Sequence, residues 1–422
     1  MPAKKKTQGT ALDMMRGYMN RIHKTDDSEN WGEVHLDASS RTSSMPHVPT
    51  GSLVVDYAIG GEPNASGVAP CPGFPRGRVT QIWGHEGSGK TTLALQSAAA
   101  VIANGGTVLF VDYENDIALD YAASLGVPIE DQAHFMLTQP ETMELGLQSI
   151  KVAVMTGVDM VIIDSVGAGV PKQWMEQDLK EIADGKATQP GVIARLWSQH
   201  LPALKTLAKK SNTALIGLSQ TRSTMNSMAF AKQSQPQGGY SWRFYSAVRL
   251  ELQRIKTEKT QMVSHLTHRK EQRVWGAQIR VKVVKCKLST SQGRECTLYI
   301  RWGQGIDDLR TLIEVGNSHN IIRRKGAWYE WNPPGKDQVR GQGMDNFRLA
   351  VKKDESLVDA LYDQVIPLLT RESDDQHDED LEKDLEEALG EGKGIDLTEL
   401  EKMVEEEEEK EEEEKSKKGK KS

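Results

Sequence analysis

Gly84 to Thr92 reads GHEGSGKTT and lies between a β-rich run, Arg78 to Trp83, and an Ala/Leu-rich run, Leu93 to Ala103. The spacing G-x-x-x-x-G-K-[ST] is that of a phosphate-binding loop. Gly84, Gly87 and Gly89, with Glu86 and Ser88 between them, let consecutive backbone N–H groups curl around a phosphate. Lys90 has the reach for the β and γ oxygens, and the Thr91 hydroxyl, followed by Thr92, suits Mg²⁺. A helix opening at the end of the loop adds its positive end to the same phosphates. A Gly-rich turn without chemistry would not need both flanks, so the motif predicts that the chain binds a nucleotide with Mg²⁺. What the nucleotide drives has to come from elsewhere.

Composition narrows the class. At 422 residues and 37% hydrophobic content, the chain can bury one substantial core and leave room for small accessory modules. Its three cysteines, Cys71, Cys286 and Cys296, form no close C-x-x-C pair, so neither a disulfide framework nor a zinc site is supported. No apolar run approaches the roughly 20 residues that span a bilayer, and Met1-Pro-Ala-Lys-Lys-Lys is no signal peptide. The expectation is a cytoplasmic protein that makes no use of a membrane. The net charge of -7 hides an asymmetry: Ser373 to Ser422 holds 22 acidic and 9 basic residues, leaving the tail at -13 and the body at +6. A mildly basic body with a separable acidic tail suits a binder of polyanions, though such a tail can also serve solubility alone.

Along the chain, Leu12, Met15, Met19 and Ile22 fall at helical spacing, and a polar stretch from Asp26 to Pro49 follows. This short helix can dock on its own core or on another subunit. A second helix is predicted from Thr50 to Gly60, then a Gly/Pro-rich loop to Gly77. Strand and helix alternate from there: strands at 79–83, 107–112, 159–164 and 213–219, helices at 91–103, 117–125, 141–156 and 191–210, with Pro202 a point of kinking. Such alternation implies a mainly parallel sheet covered by helices. Residues 247–254, 278–286 and 295–300 are β-rich with no helix between them and predict an antiparallel extension. The resulting division is 1–49, an assembly helix and linker; 50–303, an α/β ATPase core; 304–372, a small α/β module; and 373–422, an acidic tail expected to be disordered.

Two acids and an amide stand at strand ends, where an open α/β sheet collects ligands. Asp164 closes Met160-Val-Ile-Ile-Asp164 and suits the second Mg²⁺ position, although a strand-end Asp can simply cap a turn. Glu114 follows the Thr107–Asp112 run and is the candidate base for the attacking water. Gln220 ends the next strand and could report the γ-phosphate.

The motifs Thr50-Gly-Ser-Leu, Gly84 to Thr92, Phe110 to Glu114, Ile162 to Ser165, Gly238-Gly239, Phe244 to Leu250, Val281 to Lys287 and Gly326 to Tyr329 occur in the order of RecA-type homologous DNA recombinases. From about residue 11 to 370 the chain resembles that family. The resemblance implies a RecA-like core and an ATPase that polymerises on single-stranded DNA as a helical filament, finds homologous duplex DNA and exchanges strands. It implies Lys90 and Thr91 as phosphate and Mg²⁺ residues, Glu114 as the catalytic carboxylate, Asp164 as the strand-end acid, Gln220 as the γ-phosphate sensor and Tyr121 stacking on adenine. Lys285 and Lys287, which on their own read as solvated charge, match a pair that reaches a neighbouring subunit's ATP. For DNA it implies two loops, about 176–190 and 222–237, with Arg195, Arg222, Phe230, Gly238 and Gly239. Single-strand-binding and loading proteins are further candidate partners. Ala118 departs from the pattern where the family has an aspartate that contacts adenine, and the 63–74 insertion has no counterpart. A ring-forming helicase on the same fold, or an ATP-switched assembly module, are the alternatives.

Overall fold

The chain is described by a computed structural model covering residues 44–61, 69–176, 191–222, 235–263 and 270–369. The expected helix at 11–23, Phe230 and the acidic tail lie outside these residues. Met1–Ser44 and Met45–Ser422 are two units, and all of the described residues except Ser44 belong to the second.

Strands β1 (His47–Val48) and β2 (Phe74–Pro75) pair with each other beside helix α1 (Leu53–Gly60). Then come β3 (Val79–Gly84), α2 (Lys90–Ala103), β4 (Val108–Asp112), α3 (Leu119–Ser124), β5 (Phe135–Thr138), α4 (Met143–Thr156), β6 (Met160–Asp164) and α5 (Lys172–Met175). Helix α6 (Val192–Ser211), β7 (Ala214–Arg222), β8 (Gln235–Pro236), α7 (Tyr240–Tyr245), β9 (Val248–Val263), β10 (Lys270–Cys286), β11 (Glu295–Arg301) and β12 (Gly305–Ile306) complete the large sheet. Its order is β12-β11-β10-β9-β3-β7-β6-β4-β5, with β8 on β7. Pairing is parallel from β9 through β3 to β5 and antiparallel from β9 out to β12, the predicted parallel sheet with an antiparallel extension.

The inner strands are mainly apolar, Thr80, Gln81 and Ser219 excepted, because helices cover both of their faces. Alternate residues supply two separate cores: Val108, Phe110, Met160 and Ile162 join Leu93, Leu95 and Ala98 of α2, while Leu109, Val111, Val161 and Ile163 join Leu147, Ile150 and Trp197 of α4 and α6. Thr142 caps α4 by accepting from the Leu145 amide at 3.3 Å. Helix α6 runs through Pro202, where one intrahelical hydrogen bond is missing.

A third core, including Leu312, Ile313, Trp331, Phe347, Leu361 and Val365, lies among α8 (Asp308–Ser318), β13 (Ile322–Lys325), β14 (Trp328–Trp331), β15 (Val339–Gln342), α9 (Met344–Lys352) and α10 (Glu355–Leu369). Asp307 joins it to the large sheet: its carboxylate accepts from Arg301 Nε at 2.6 Å and Arg348 Nε at 2.8 Å. The neighbouring Asp308 accepts from Ser52 Oγ at 2.9 Å and the Leu53 amide at 3.1 Å, satisfying the N-terminus of α1 from 255 residues away in sequence.

Several elements exceed the sequence reading. β9 and β10 continue well beyond 254 and 278 as a two-stranded ribbon, while β3 and β11 pair only with their inner portions. Apart from the end that holds Ala277, the ribbon side chains at 255–259 and 270–274 are mostly exposed, so the apolar alternation that marks a strand is missing. β5, β13, β15, α7 and α9 are short, and tertiary packing rather than periodicity defines them.

Candidate active site

The phosphate loop occupies the turn between β3 and α2. Gly87 and Gly89 take φ of +65° and +84°, values that Cβ-bearing residues rarely hold. A Cβ on Gly89 would also collide with Ile300. His85, Glu86 and Gly87 are exposed, while Ser88 is buried with its hydroxyl unpartnered, a polar atom consistent with a loop shaped for a ligand. Lys90 Nζ donates to the Gly84 and His85 carbonyls at 3.2 and 3.0 Å. Burial lowers its pKa, against the pull of Asp164, Glu114 and Glu86. Those three carboxylates keep an otherwise costly buried cation in balance.

β6 delivers Asp164 to the loop, and Thr91 Oγ1 donates to its Oδ2 at 2.8 Å. The Asp164 carboxyl is pushed up to about 6, first by burial and further by Glu114 and Asp112, with the Thr91 hydrogen bond opposing. A divalent cation would suit such a crowd of carboxylates. Thr91 Oγ1 and Asp164 Oδ2 are the hard oxygen donors that Mg²⁺ accepts beside phosphate and water, and it needs few protein carboxylates.

Glu114 and Gln220 arrive from different strands. Gln220 Nε2 donates to both Glu114 oxygens, at 3.0 and 3.2 Å. Tyr121 of α3 turns its hydroxyl to Thr92 Oγ1 at 2.8 Å, which fixes the ring beside α2. Thr221 Oγ1 meets His85 Nδ1 at 3.0 Å and ties the end of β7 to the loop.

Two contributors were not singled out from sequence. The buried Asp112 carboxylate accepts from the amides of Glu114, Asn115 and Ile117 and from Gln139 Nε2, and so shapes the turn that presents Glu114. The run Asp112-Tyr-Glu-Asn115 carries the signal of an Asx-type turn, which could have been read. Gln139 could not, since only the fold brings it to Asp112.

A family model, the RecA N-terminal domain, matches residues 19–307. Protein RecA of Oleidesulfovibrio alaskensis is 32% identical over 381 residues, which cover 90% of this chain and 99% of that protein. Protein RecA of Methylococcus capsulatus is 36% identical over 315 residues, or 74% and 81% of the two chains. The chain belongs to the RecA family. Its activity is that of a RecA protein: a DNA-dependent ATPase that forms filaments and carries out homologous pairing and strand exchange. The crystal structure of the RadB recombinase is also similar, at 21% identity and a TM-score of 0.41 over 62% of this chain and 99% of that one.

Other residues expected for a RecA-family site lie apart from the phosphate loop. Lys285 Nζ donates to the Arg243 and Phe244 carbonyls at the end of α7, at 2.8 and 3.2 Å. Lys287 is exposed at the end of β10. Arg195 sits on the exposed face of the first turn of α6, and Arg222 closes β7. Gly238 and Gly239 pack closely, since a Cβ there would come within 2.6 Å of Val166 Cγ2 and 2.7 Å of Ala194 Cβ. They seat the outgoing end of the second loop against α6. Ala118 is exposed at the start of α3.

Proposed function

We propose that ATP is hydrolysed at this cluster, with Gly84, Glu86, Gly87, Ser88, Gly89, Thr92 and Tyr121 forming the nucleotide seat. The observation that carries the reading is the convergence of Lys90, Thr91, Asp164, Glu114 and Gln220 from four strand ends onto one loop. Thr91 and Asp164 would hold Mg²⁺, which neutralises charge developing on the β and γ oxygens. Lys90 turns from the loop carbonyls to the γ-phosphate. Glu114 takes the proton of the attacking water. While Gln220 is bonded to both oxygens of Glu114 that carboxylate is occupied; exchanging this partner for a γ-phosphate oxygen releases the base only when substrate is present.

Lys285 and Lys287 act on the nucleotide of an adjoining subunit, making turnover conditional on assembly. Arg195, Arg222, Phe230 and the backbone around Gly238 and Gly239 contact single-stranded DNA. Homologous duplex is the second DNA partner, and single-strand-binding and loading proteins are further ones. The four-part division of the chain, with an N-terminal assembly helix and an acidic tail, belongs to the same proposal. Among the described residues no helix is long and apolar enough to cross a membrane, which accords with work on cytoplasmic DNA.

Mixing subunits tests the shared site. Lys90→Ala alone and Lys285→Ala with Lys287→Ala should each be inactive on DNA. A mixture contains interfaces with every element intact and should regain part of the turnover. No recovery at any ratio would refute sharing.

A further inference from the structure

A buried polar line crosses the sheet beneath α7. Arg249 Nε donates to Gln81 Oε1 at 2.8 Å, and Gln81 Nε2 donates to Ser219 Oγ at 2.8 Å. The three residues are 5%, 1% and 0% exposed. They come from adjacent strands β9, β3 and β7, with Gln81 in register with Arg249 and with Gly217, two residues before Ser219. The orientation of the Gln81 amide follows from chemistry: a guanidinium only donates, so the carbonyl faces Arg249 and the NH₂ faces Ser219.

Stability offers little reason for this line. Buried charges and amides cost free energy unless fully paired, and apolar residues of similar shape often serve as well or better. The two ends of the line do lead somewhere. Ser219 immediately precedes Gln220, whose side chain points to the opposite face and holds Glu114. Arg249 is in register with Lys285 across β9 and β10. Lys285 is crowded by cations; its pKa is held down at about 8, by burial first and then by Lys287, Arg249, Lys205 and Arg243. Any anion that reaches this face changes the field on Arg249 and draws Lys285 from its two α7 carbonyls.

We infer that Gln81 is a positioning residue, linking Arg249 and the Lys285 face on one side to Ser219, and hence to the backbone that carries Gln220, on the other. It rests on the roles proposed above for Lys285, Lys287 and Gln220. An anion at the interface would thereby be felt at the subunit's own Gln220–Glu114 pair, coupling neighbouring ATP sites along a filament. The line is contiguous, hydrogen-bonded throughout and shielded from water, so its couplings are not screened by solvent.

Gln81→Met removes both hydrogen bonds at similar length. Gln81→Glu keeps an acceptor for Arg249 and can accept from the Ser219 hydroxyl. Ser219→Ala cuts one end only and serves should Gln81→Met fail to fold. DNA-stimulated kcat in Gln81→Met is expected to fall about tenfold, within the range of ordinary coupling between sites, with KM for ATP and single-strand affinity little changed and Tm lowered by a few degrees because the buried Arg249 loses an acceptor. Gln81→Glu should restore most of the loss. DNA-independent hydrolysis in Gln81→Met should stay at the wild-type level, because no neighbour's lysines act in it, whereas a purely structural defect would lower it to the same extent. Wild-type DNA-stimulated kcat in both Gln81→Met and Ser219→Ala, or a matching loss of DNA-independent hydrolysis, overturns the inference and leaves the shared site standing. Full DNA-stimulated turnover in the Lys285→Ala, Lys287→Ala protein instead overturns the reading beneath it.

Discussion

Asp112→Asn probes how Glu114 is held. The native carboxylate, 2% exposed, accepts from the Glu114 amide at 3.1 Å, Asn115 at 2.9 Å, Ile117 at 3.3 Å and Gln139 Nε2 at 3.0 Å. Asparagine leaves one oxygen for Glu114 and Asn115, and Gln139 can turn its amide to accept from the new NH₂. The Ile117 N–H is then left facing a donor. One bond is lost and three become neutral, at about half their former strength. With about 1 kcal/mol for each change, the turn at 113–117 loses roughly 3 to 4 kcal/mol. A base displaced by about 1 Å can cost on the order of 10²-fold in rate, so DNA-stimulated turnover should drop by about that factor. ATP affinity should stay, because Asp112 hydrogen-bonds to no phosphate-loop residue among those described. Steady-state hydrolysis on single-stranded DNA, with amide hydrogen exchange at Asn115 and Ile117, reads both consequences. Faster exchange with wild-type turnover would show that Glu114 needs no such hold. Unchanged exchange would refute the hydrogen-bond account itself.

Glu114→Gln should retain nucleotide and DNA binding while turnover falls by about 10² to 10⁴, the usual effect of losing a general base; near-normal hydrolysis would assign the base elsewhere. Asp56, its carboxylate under the Thr50 amide and near Asp308, is pushed up to about 7, chiefly by burial. Because this folded value lies above the unfolded one, its contribution to stability is complete below about pH 4 and is lost as pH rises through about 7. Asp56→Asn should match the wild type near pH 4 and exceed its stability by about 2 to 4 kcal/mol at pH 8; denaturation curves separated equally at both pH values would contradict this. Arg195→Ala should weaken single-strand binding and reduce the slope of log K against log salt by about one unit for a lost phosphate contact; an unchanged slope would move the contact elsewhere. Ending the chain at Thr370 removes a tail of -13 from a body of +6, and duplex binding should tighten at low Mg²⁺ because a tethered competitor is gone. Superimposable titrations at every Mg²⁺ concentration would leave the tail no such role.

The sequence by itself determined the parts whose chemistry is local. A phosphate loop needs its glycines, lysine and hydroxyl within nine consecutive residues, so Gly84 to Thr92 declares itself, and inner parallel strands show apolar runs such as Met160 to Ile163 because both of their faces are covered. Strand ends follow from those runs, which is why Asp164, Glu114 and Gln220 could be named in advance. Only the tertiary structure decided which of these groups touch. Gln220 meets Glu114 across 106 residues of chain, and Thr91 meets Asp164 across 73. Gln139 reaches Asp112, and Gln81 joins Arg249 to Ser219, through strand order that no window of sequence contains. The ribbon of β9 and β10 was illegible for a related reason: its side chains at 255–259 and 270–274 are mostly exposed, so backbone pairing rather than an apolar face marks the strand there. Periodicity records which face is buried, and it is silent where burial is absent or where a contact depends on the sheet's order.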